Sequence, residues 1–153
     1  FMTHSMNTSI SPQRLEEFKC ICKANGLRVT PQRVEIYKTV ALSKAHPNAD
    51  SVYASVRRTM PNVSLDTVYR TLASLEQMGL VFRVGLASKA RFDADLEEHY
   101  HFVCMECGEV YDAFPPRDQH LTVPDALKEL GDIKKVNLQT SGVCIHCRKN
   151  LKK

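Results

Sequence analysis

The chain has 153 residues, of which 43% are hydrophobic and 25% are charged, a composition typical of globular proteins. Its length corresponds to one domain or to two small ones. The longest uninterrupted apolar run, residues 102–105, has four residues, whereas a membrane-spanning helix needs about 20. We therefore expect no membrane span, and we find no pattern of a secretion signal.

Charge is unevenly distributed along the chain. Residues 1–90 contain 12 Lys and Arg against 6 Asp and Glu, whereas residues 91–153 contain 9 against 11. A basic segment is suited to a polyanion such as nucleic acid, and a mildly acidic one is suited to cations. The asymmetry predicts two parts with different roles.

Residues 1–9 carry no hydrophobic periodicity, and we exclude them from the fold. After them, four helices are predicted from cap residues followed by apolar side chains at helical spacing. Their expected starts are Pro12, Pro31, Asn48 or Ala49, and Leu65. Three ends are marked by Asn25-Gly26, by Pro61 and by Gly79. Cys20 and Cys22 lie two residues apart on the first helix, face different sides, and are interpreted as ordinary helix residues.

The hydrophobic period then changes from helical to extended. Residues 80–84 and 90–92 predict a hairpin, and four helices followed by a hairpin are typical of a winged helix-turn-helix. Further on we expect strands at residues 100–104, 109–114 and 134–139, and a helix at residues 124–130. The predicted fold is α+β, with a winged-helix domain at residues 11–92 and a small α+β unit at residues 93–153; units this small usually need a metal, a partner subunit or both.

Four of the six cysteines form two C-x-x-C pairs, Cys104 with Cys107 and Cys144 with Cys147. In a reducing compartment, which we expect here, such pairs bind metal more often than they form disulfides. Two pairs can converge on one tetrahedral zinc ion, and four thiolates complete its coordination. The spacing predicts a structural zinc site, with a redox-active pair as the alternative.

A second group of potential ligands contains no sulfur. His99 and His101 alternate on a predicted strand and so point to one face, while Asp93 and Asp112 lie in neighbouring segments. Nitrogen and oxygen ligands suit Fe(II), Mn(II) or a second Zn(II). A surface histidine pair without metal is the alternative, and His46, in a loop between helices, has no assigned role on its own.

The fourth helix is the candidate for DNA recognition. Its polar face is expected to present Thr67, Arg70, Thr71 and Ser74, with Tyr69 as a further contact. Arg can bind guanine edges, while Thr and Tyr can reach phosphates. The hairpin adds cationic side chains that suit phosphate contacts, namely Arg83, Lys89 and Arg91. A solvated helix face is the alternative.

Four segments of the chain resemble the ferric uptake regulator (Fur) family: residues 26–33, 45–50, 67–72 and 99–108. The resemblance runs from about Ser11 to Cys147 and implies a homodimeric bacterial repressor of the cytoplasm that binds a palindromic DNA operator. It implies that residues 93–153 form a dimerisation and metal-sensing domain, with a structural zinc ion on the four paired cysteines, and that Arg33, Thr67, Tyr69 and Arg70 contact DNA. It also implies a regulatory Fe(II) or Mn(II) site between the domains, with ligands His46, Asp93, His99, His101 and Asp112; His120 is a weaker ligand candidate.

Within that family the chain most resembles the peroxide-responsive repressors, since an Asp at position 112 is typical of them and Glu is common in iron sensors. The resemblance implies that peroxide oxidises a ligand histidine, His46 or His99, and that DNA is then released. One alternative is a repressor of the same family that responds to iron or zinc alone. Another is a non-haem iron enzyme, but no acid–base set accompanies the ligands, so we expect a regulator and not an enzyme.

Overall fold

The computed structural model describes residues 9–133 and 136–151. The predicted non-periodic start therefore lies outside the described residues except for Ser9, and so do Lys134 and Lys135 of the predicted strand at residues 134–139. The described chain folds into two compact units: one runs up to Val84 and includes Lys89–Asp95, and the other comprises Gly85–Ser88 and the residues from Leu96 onward.

The first unit contains four helices and a two-stranded hairpin. The helices are α1 (Pro12–Ala24), α2 (Pro31–Leu42), α3 (Ala49–Thr59) and α4 (Leu65–Gln77). Strand β1 (Phe82–Val84) pairs antiparallel with β2 (Arg91–Asp93), and one turn of 3-10 helix, Ala87–Lys89, lies between them. Mixed helix and sheet is the predicted fold class, and the four helices begin where the sequence predicts.

Side-chain caps define the helix starts. The residue before each helix accepts a hydrogen bond from a backbone N–H of the first turn, which would otherwise lack an intrahelical partner. The four caps are Ser11, Thr30, Asn48 and Ser64. Proline at the first position of α1 and α2 strengthens the same signal, because its ring presets the helical backbone angle.

A single apolar core holds the first unit together. Phe18 from α1 stacks on Tyr37 from α2 at 4.4 Å between ring centroids, and both side chains are almost completely buried. Leu72 and Leu75 of α4 and Phe92 of β2 belong to the same cluster. The hairpin is thereby packed against the helices of its own unit. Cys22 is buried in this core and Cys20 is exposed, which agrees with the expectation that they face different sides.

The second unit is a three-stranded sheet with two short helices. Its strands are β3 (Tyr100–Cys104), β4 (Val110–Ala113) and β5 (Leu138–Gly142), in the order β4-β3-β5. Strand β3 pairs antiparallel with β4 and parallel with β5. The helices are α5 (Asp125–Lys128) and α6 (Ile145–Leu151).

The structure differs from the sequence-based predictions at several places. The helix expected at residues 124–130 has only four residues, and the strand expected at residues 134–139 is displaced to Leu138–Gly142, because its pairing with β3 sets its position. Helix α6 was not predicted. Thr71 is buried and does not lie on the polar face of α4, because it shares the apolar stripe of Val68 and Leu75 at helical spacing.

Among the described residues, no helix combines the length and the apolar character needed to cross a bilayer.

The stacked pair in the first unit gives a stability prediction. Replacing Phe18 by Ala removes a fully buried ring and leaves a cavity, so we expect the free energy of unfolding to fall by about 3–5 kcal/mol. Urea denaturation followed by circular dichroism measures it. Glu17→Ala, at the exposed neighbouring position of the same helix, is the control and should change stability little. Equal losses for both variants would contradict the assigned core.

Candidate metal centres and nucleic-acid interface

The four paired cysteines converge in the second unit. Cys104 ends β3, Cys107 follows in a tight turn, Cys144 precedes α6, and Cys147 lies on that helix. The turn closes with the Gly108 N–H donating to the Cys104 carbonyl at 2.9 Å, and Gly108 has a φ of 75° that favours glycine. Because β3 and β5 are parallel, the two cysteine pairs follow the carboxyl ends of neighbouring strands and meet at one edge of the sheet.

The distances among the four thiols suit a tetrahedral ion. The four Sγ atoms lie within 4.8 Å of one another, and Sγ of Cys107 lies 3.9 Å from Sγ of Cys144. Zinc–sulfur bonds of about 2.3 Å place tetrahedral ligands about 3.8 Å apart. All four cysteines are free thiols, so no disulfide competes for them. The residues fit a structural zinc ion.

Backbone N–H groups prepare part of this site for thiolates. Hydrogen bonds from the N–H groups of Cys107 and Cys144 lower the pKa of Cys104 to about 6. In contrast, the hydrogen bond with the Cys144 side chain, together with burial and the other nearby thiols, raises the pKa of Cys147 to about 12. Four crowded thiols resist full ionisation on their own, and a divalent cation supplies the charge that would stabilise four thiolates.

A tyrosine not singled out by the sequence also contacts this cluster. Tyr111 on β4 hydrogen-bonds to the Cys144 side chain, and this contact raises the pKa of Tyr111 to about 12. The same contact contributes to lowering the pKa of Cys144, after the larger effect of the Cys147 N–H. The alternation of side chains along β4 gives the only sequence signal, since Tyr111 faces away from its neighbour Asp112.

The second unit also holds three sulfur-free ligands close together. His101 lies opposite Asp112 in the β3–β4 register, with 3.4 Å between Nε2 and Oδ1. Nε2 of His99 lies 3.0 Å from Nε2 of His101 and 3.7 Å from Oδ1 of Asp112. With metal–nitrogen bonds of about 2.1 Å, neighbouring ligand atoms lie about 3.0–3.4 Å apart, depending on geometry. The three side chains therefore fit one face of a metal site.

A backbone contact at Nδ1, the ring nitrogen not directed at His101 and Asp112, fixes the orientation of the His99 side chain. Its Nδ1 lies 2.7 Å from the carbonyl oxygen of Glu97, and a carbonyl can only accept a hydrogen bond. Nδ1 therefore carries the proton in the neutral ring, which leaves the Nε2 lone pair directed toward His101 and Asp112. This is the tautomer that a metal bound at Nε2 requires.

The two remaining predicted ligands lie together in the first unit. Nε2 of His46 is 3.7 Å from Oδ2 of Asp93, although 46 positions separate the two residues in the chain. His46 has a φ of 47°, an uncommon backbone conformation for a residue other than glycine. Such local strain persists where the surrounding structure holds it in place, and it is frequent at functional sites.

His120, the weaker ligand candidate, belongs to neither donor set within the described residues. Its Nδ1 lies 3.1 Å from Oε2 of Glu98, whose other oxygen accepts the N–H of Leu121 at 2.7 Å. Glu98 thus ties the segment at Leu121 to the residues that precede β3. No sequence pattern indicated this contact.

The candidate recognition helix exposes several of its predicted contacts. Tyr69 is half exposed, and the Arg70 side chain is largely exposed, with Nε 2.9 Å from Oδ2 of Asp66. Thr67 is partly exposed beside the cap residue Ser64, at 2.8 Å between hydroxyls. Arg33, on α2, is partly buried and donates to the Arg28 carbonyl at 2.6 Å. These side chains can reach DNA phosphates and base edges.

The chain is similar in sequence to known proteins of one family. The model of the ferric uptake regulator family matches residues 24–141. A peroxide-responsive repressor, PerR, of Staphylococcus epidermidis is 31% identical over 136 residues, which cover 88% of this chain and 90% of the relative.

Solved structures extend the similarity to the fold. The ferric uptake regulator of Helicobacter pylori superposes with a TM-score of 0.69 at 24% identity, covering 89% of this chain and 92% of that one. The peroxide stress regulator of Campylobacter jejuni gives 0.58 at 27% identity, covering 90% and 100%.

The fold and the two donor sets define a metal-responsive transcriptional regulator with a winged-helix DNA-binding domain followed by a small α+β domain. The chain belongs to the ferric uptake regulator family. The resemblance and the fold class predicted from the sequence are thereby confirmed. The expectation that the protein is not an enzyme is confirmed as well, because members of this family are transcriptional regulators.

The hydrogen bond between Tyr111 and the Cys144 side chain predicts that zinc is lost more slowly from the wild type than from a variant without this hydroxyl. Removing the hydroxyl in Tyr111→Phe takes one hydrogen bond from the Cys144 thiolate, and loss of such outer contacts costs about 10–100-fold in metal affinity. We expect zinc to transfer to a chromogenic chelator about tenfold faster or more than in the wild type.

Tyr100→Phe is the matched control for this experiment. Its hydroxyl faces the Gln119 carbonyl at 3.4 Å, so its removal should leave the rate of zinc transfer unchanged. If Tyr111→Phe and the wild type release zinc at the same rate, the hydroxyl does not support the zinc site.

Proposed function

We propose that the protein is a metal-dependent DNA-binding repressor that senses peroxide through bound Fe(II) and is insensitive to peroxide when Mn(II) is bound instead. The observation that carries the proposal is the sulfur-free set His99, His101 and Asp112, which lies apart from the four thiols. Nitrogen and oxygen ligands suit Fe(II) or Mn(II), while the thiols suit a structural zinc ion. The two metals would therefore bind at separate positions with different roles.

The regulatory ion would draw ligands from both units. His46 and Asp93 belong to the first unit, whereas His99, His101 and Asp112 belong to the second. In one arrangement of the domains all ligands are within reach of the metal. A metal ion that binds this arrangement more tightly than other arrangements shifts the population toward it. Metal occupancy and DNA affinity would then be linked through the angle between the domains.

DNA binding is assigned to α4 and its neighbours, with Arg33, Thr67, Tyr69 and Arg70 as contacts. A homodimer would present two such helices to the half-sites of a palindromic operator, about one helical turn apart. The second unit offers a surface for dimerisation, because β5 is an edge strand and most of its residues are exposed. Exposed apolar side chains of this unit include Leu127, Leu130, Ile133, Leu138 and Ile145.

Peroxide sensing rests on the similarity to the repressor of Staphylococcus epidermidis and on the short side chain of Asp112. Bound Fe(II) would supply the redox chemistry that activates peroxide. One oxygen atom of the peroxide would be added to the ring of His46 or His99, and the other would leave as water. An oxidised ring is a poorer ligand, so the domains would separate and DNA would be released.

The proposal places the protein in the bacterial cytoplasm, where thiols stay reduced.

DNA affinity should depend on the regulatory metal. We expect Mn(II) to strengthen binding of an operator duplex at least tenfold in the wild type, which lies within the usual range for allosteric coupling. His99→Ala should abolish this increase because it removes one ligand of the set. His120→Ala, at a histidine outside both donor sets, is the control and should retain it. DNA binding that does not depend on metal would contradict the proposal.

Peroxide should modify a ligand histidine only when iron is bound. After brief treatment with hydrogen peroxide, we expect tandem mass spectrometry of the Fe(II)-loaded protein to find one added oxygen on His46 or His99. The Mn(II)-loaded protein should remain unmodified at both positions. If the Fe(II)-loaded protein gains no oxygen there while its DNA binding still depends on metal, the protein senses iron level alone.

An unchanged peroxide response in Asp112→Glu would remove Asp112 as the determinant of peroxide sensing.

A further inference from the structure

We propose that Phe92 and Arg83 are positioning residues that connect the ligands His46 and Asp93 to the recognition helix α4 within the first unit. The proposal rests on the proposed function, since it assigns a route by which the regulatory metal acts on DNA recognition. Every contact it uses lies inside the first unit. The proposed route runs through the β1–β2 hairpin and acts in addition to any change in the angle between the domains.

The loop that carries His46 is fastened to strand β2. The Phe92 N–H donates to the Pro47 carbonyl at 3.0 Å, and Arg91 Nη1 donates to the Ala45 carbonyl at 3.2 Å. These two bonds flank His46 on both sides, and the next residue of β2 after Phe92 is Asp93. Both ligands of this unit are therefore attached to the same three-residue strand, so that a displacement of either one acts on β2.

The side chain of Phe92 connects β2 to its partner strand. Arg83 lies opposite Phe92 in the β1–β2 register, and its guanidinium group sits over the Phe92 ring at 5.4 Å from the centroid. Phe92 is buried in the core of the unit with only 3% exposure. A cation held over an aromatic ring is attracted to the ring face, so the position of the ring determines where Arg83 is held.

Arg83 in turn binds the end of the recognition helix. Its Nε lies 3.2 Å from both carboxylate oxygens of Glu76, and its Nη2 lies 3.1 Å from Oε2. Glu76 is in the last turn of α4, which ends at Gln77. This partly exposed ion pair contributes little to stability, but the planar guanidinium group binds the carboxylate at more than one point and so fixes orientation.

The consequence is a short connection from metal to helix. A metal ion that moves His46 and Asp93 to its own preferred ligand positions would shift β2, then the Phe92 ring, then Arg83 and finally the carboxyl end of α4. Arg83 as a simple DNA phosphate contact is the competing explanation, because it lies on the hairpin. The two explanations differ, since a phosphate contact strengthens DNA binding equally with and without metal.

The test compares how strongly Mn(II) enhances DNA affinity in three variants. Phe92→Leu keeps an apolar core residue but removes the ring, and Glu76→Gln removes the helix anchor without touching the core. Glu16→Gln, which breaks the exposed Glu16–Lys19 pair on α1, is the matched carboxylate-to-amide control. The probe is a duplex selected from random-sequence DNA by the Mn(II)-loaded wild type, and fluorescence anisotropy measures affinity with and without Mn(II). Calorimetry measures Mn(II) affinity of the free proteins.

We expect the Mn(II) enhancement to fall at least threefold in Phe92→Leu and Glu76→Gln and to stay unchanged in Glu16→Gln. Mn(II) affinity of the free variants should remain within twofold of the wild type, because the ligands are intact. An undiminished enhancement in Glu76→Gln, or a loss of DNA affinity that is equal with and without Mn(II), would overturn the proposal. If the wild type itself shows no enhancement, the proposed function fails and this inference fails with it. Glu76→Gln decides the outcome should Phe92→Leu not fold.

Discussion

The convergence of four cysteine side chains at one end of β3 is the constraint on which the second unit depends. This unit is small, and among its described residues few apolar side chains are fully buried: Val103 and the proposed zinc ligands Cys104 and Cys144 are the main ones. Units of this size rarely gain enough from burial alone, and a structural metal compensates for the missing core. A zinc ion on the four thiols would join the end of β3 to the start of α6.

Strand β3 also connects this constraint to the proposed regulatory metal site. Cys104 ends the strand, while His101 lies within it and His99 directly precedes it. Tyr111 and Asp112 are neighbours on β4, and they face the thiol cluster and the histidines respectively. An anchored β3–β4 pair therefore holds the three sulfur-free ligands at set distances. The charge balance follows the same division, since the first 90 residues are basic and the remaining 63 are mildly acidic.

The sequence predicted much of this because its signals are local. N-caps and prolines determine where the four helices begin, and C-x-x-C spacing determines the thiol pairs. The position of β5 could not be predicted from the sequence, because its residues are mostly polar and its place depends on pairing with β3 across the sheet. That register sets Gly142 beside Cys104, where a Cβ at position 142 would lie 3.3 Å from the Phe102 ring. Thr71 was misassigned by residue type, although its spacing from Val68 and Leu75 indicates the buried stripe.

In the proposed function, a second metal ion, distinct from zinc, controls DNA binding. The most direct measurement titrates anaerobically purified protein with Mn(II), counting both metals by mass spectrometry and measuring DNA affinity at every point. We expect zinc to stay constant at about one per chain while DNA affinity rises in step with the second ion and levels off at about one equivalent. DNA affinity that is constant across the titration, or that follows zinc content alone, would contradict the claim.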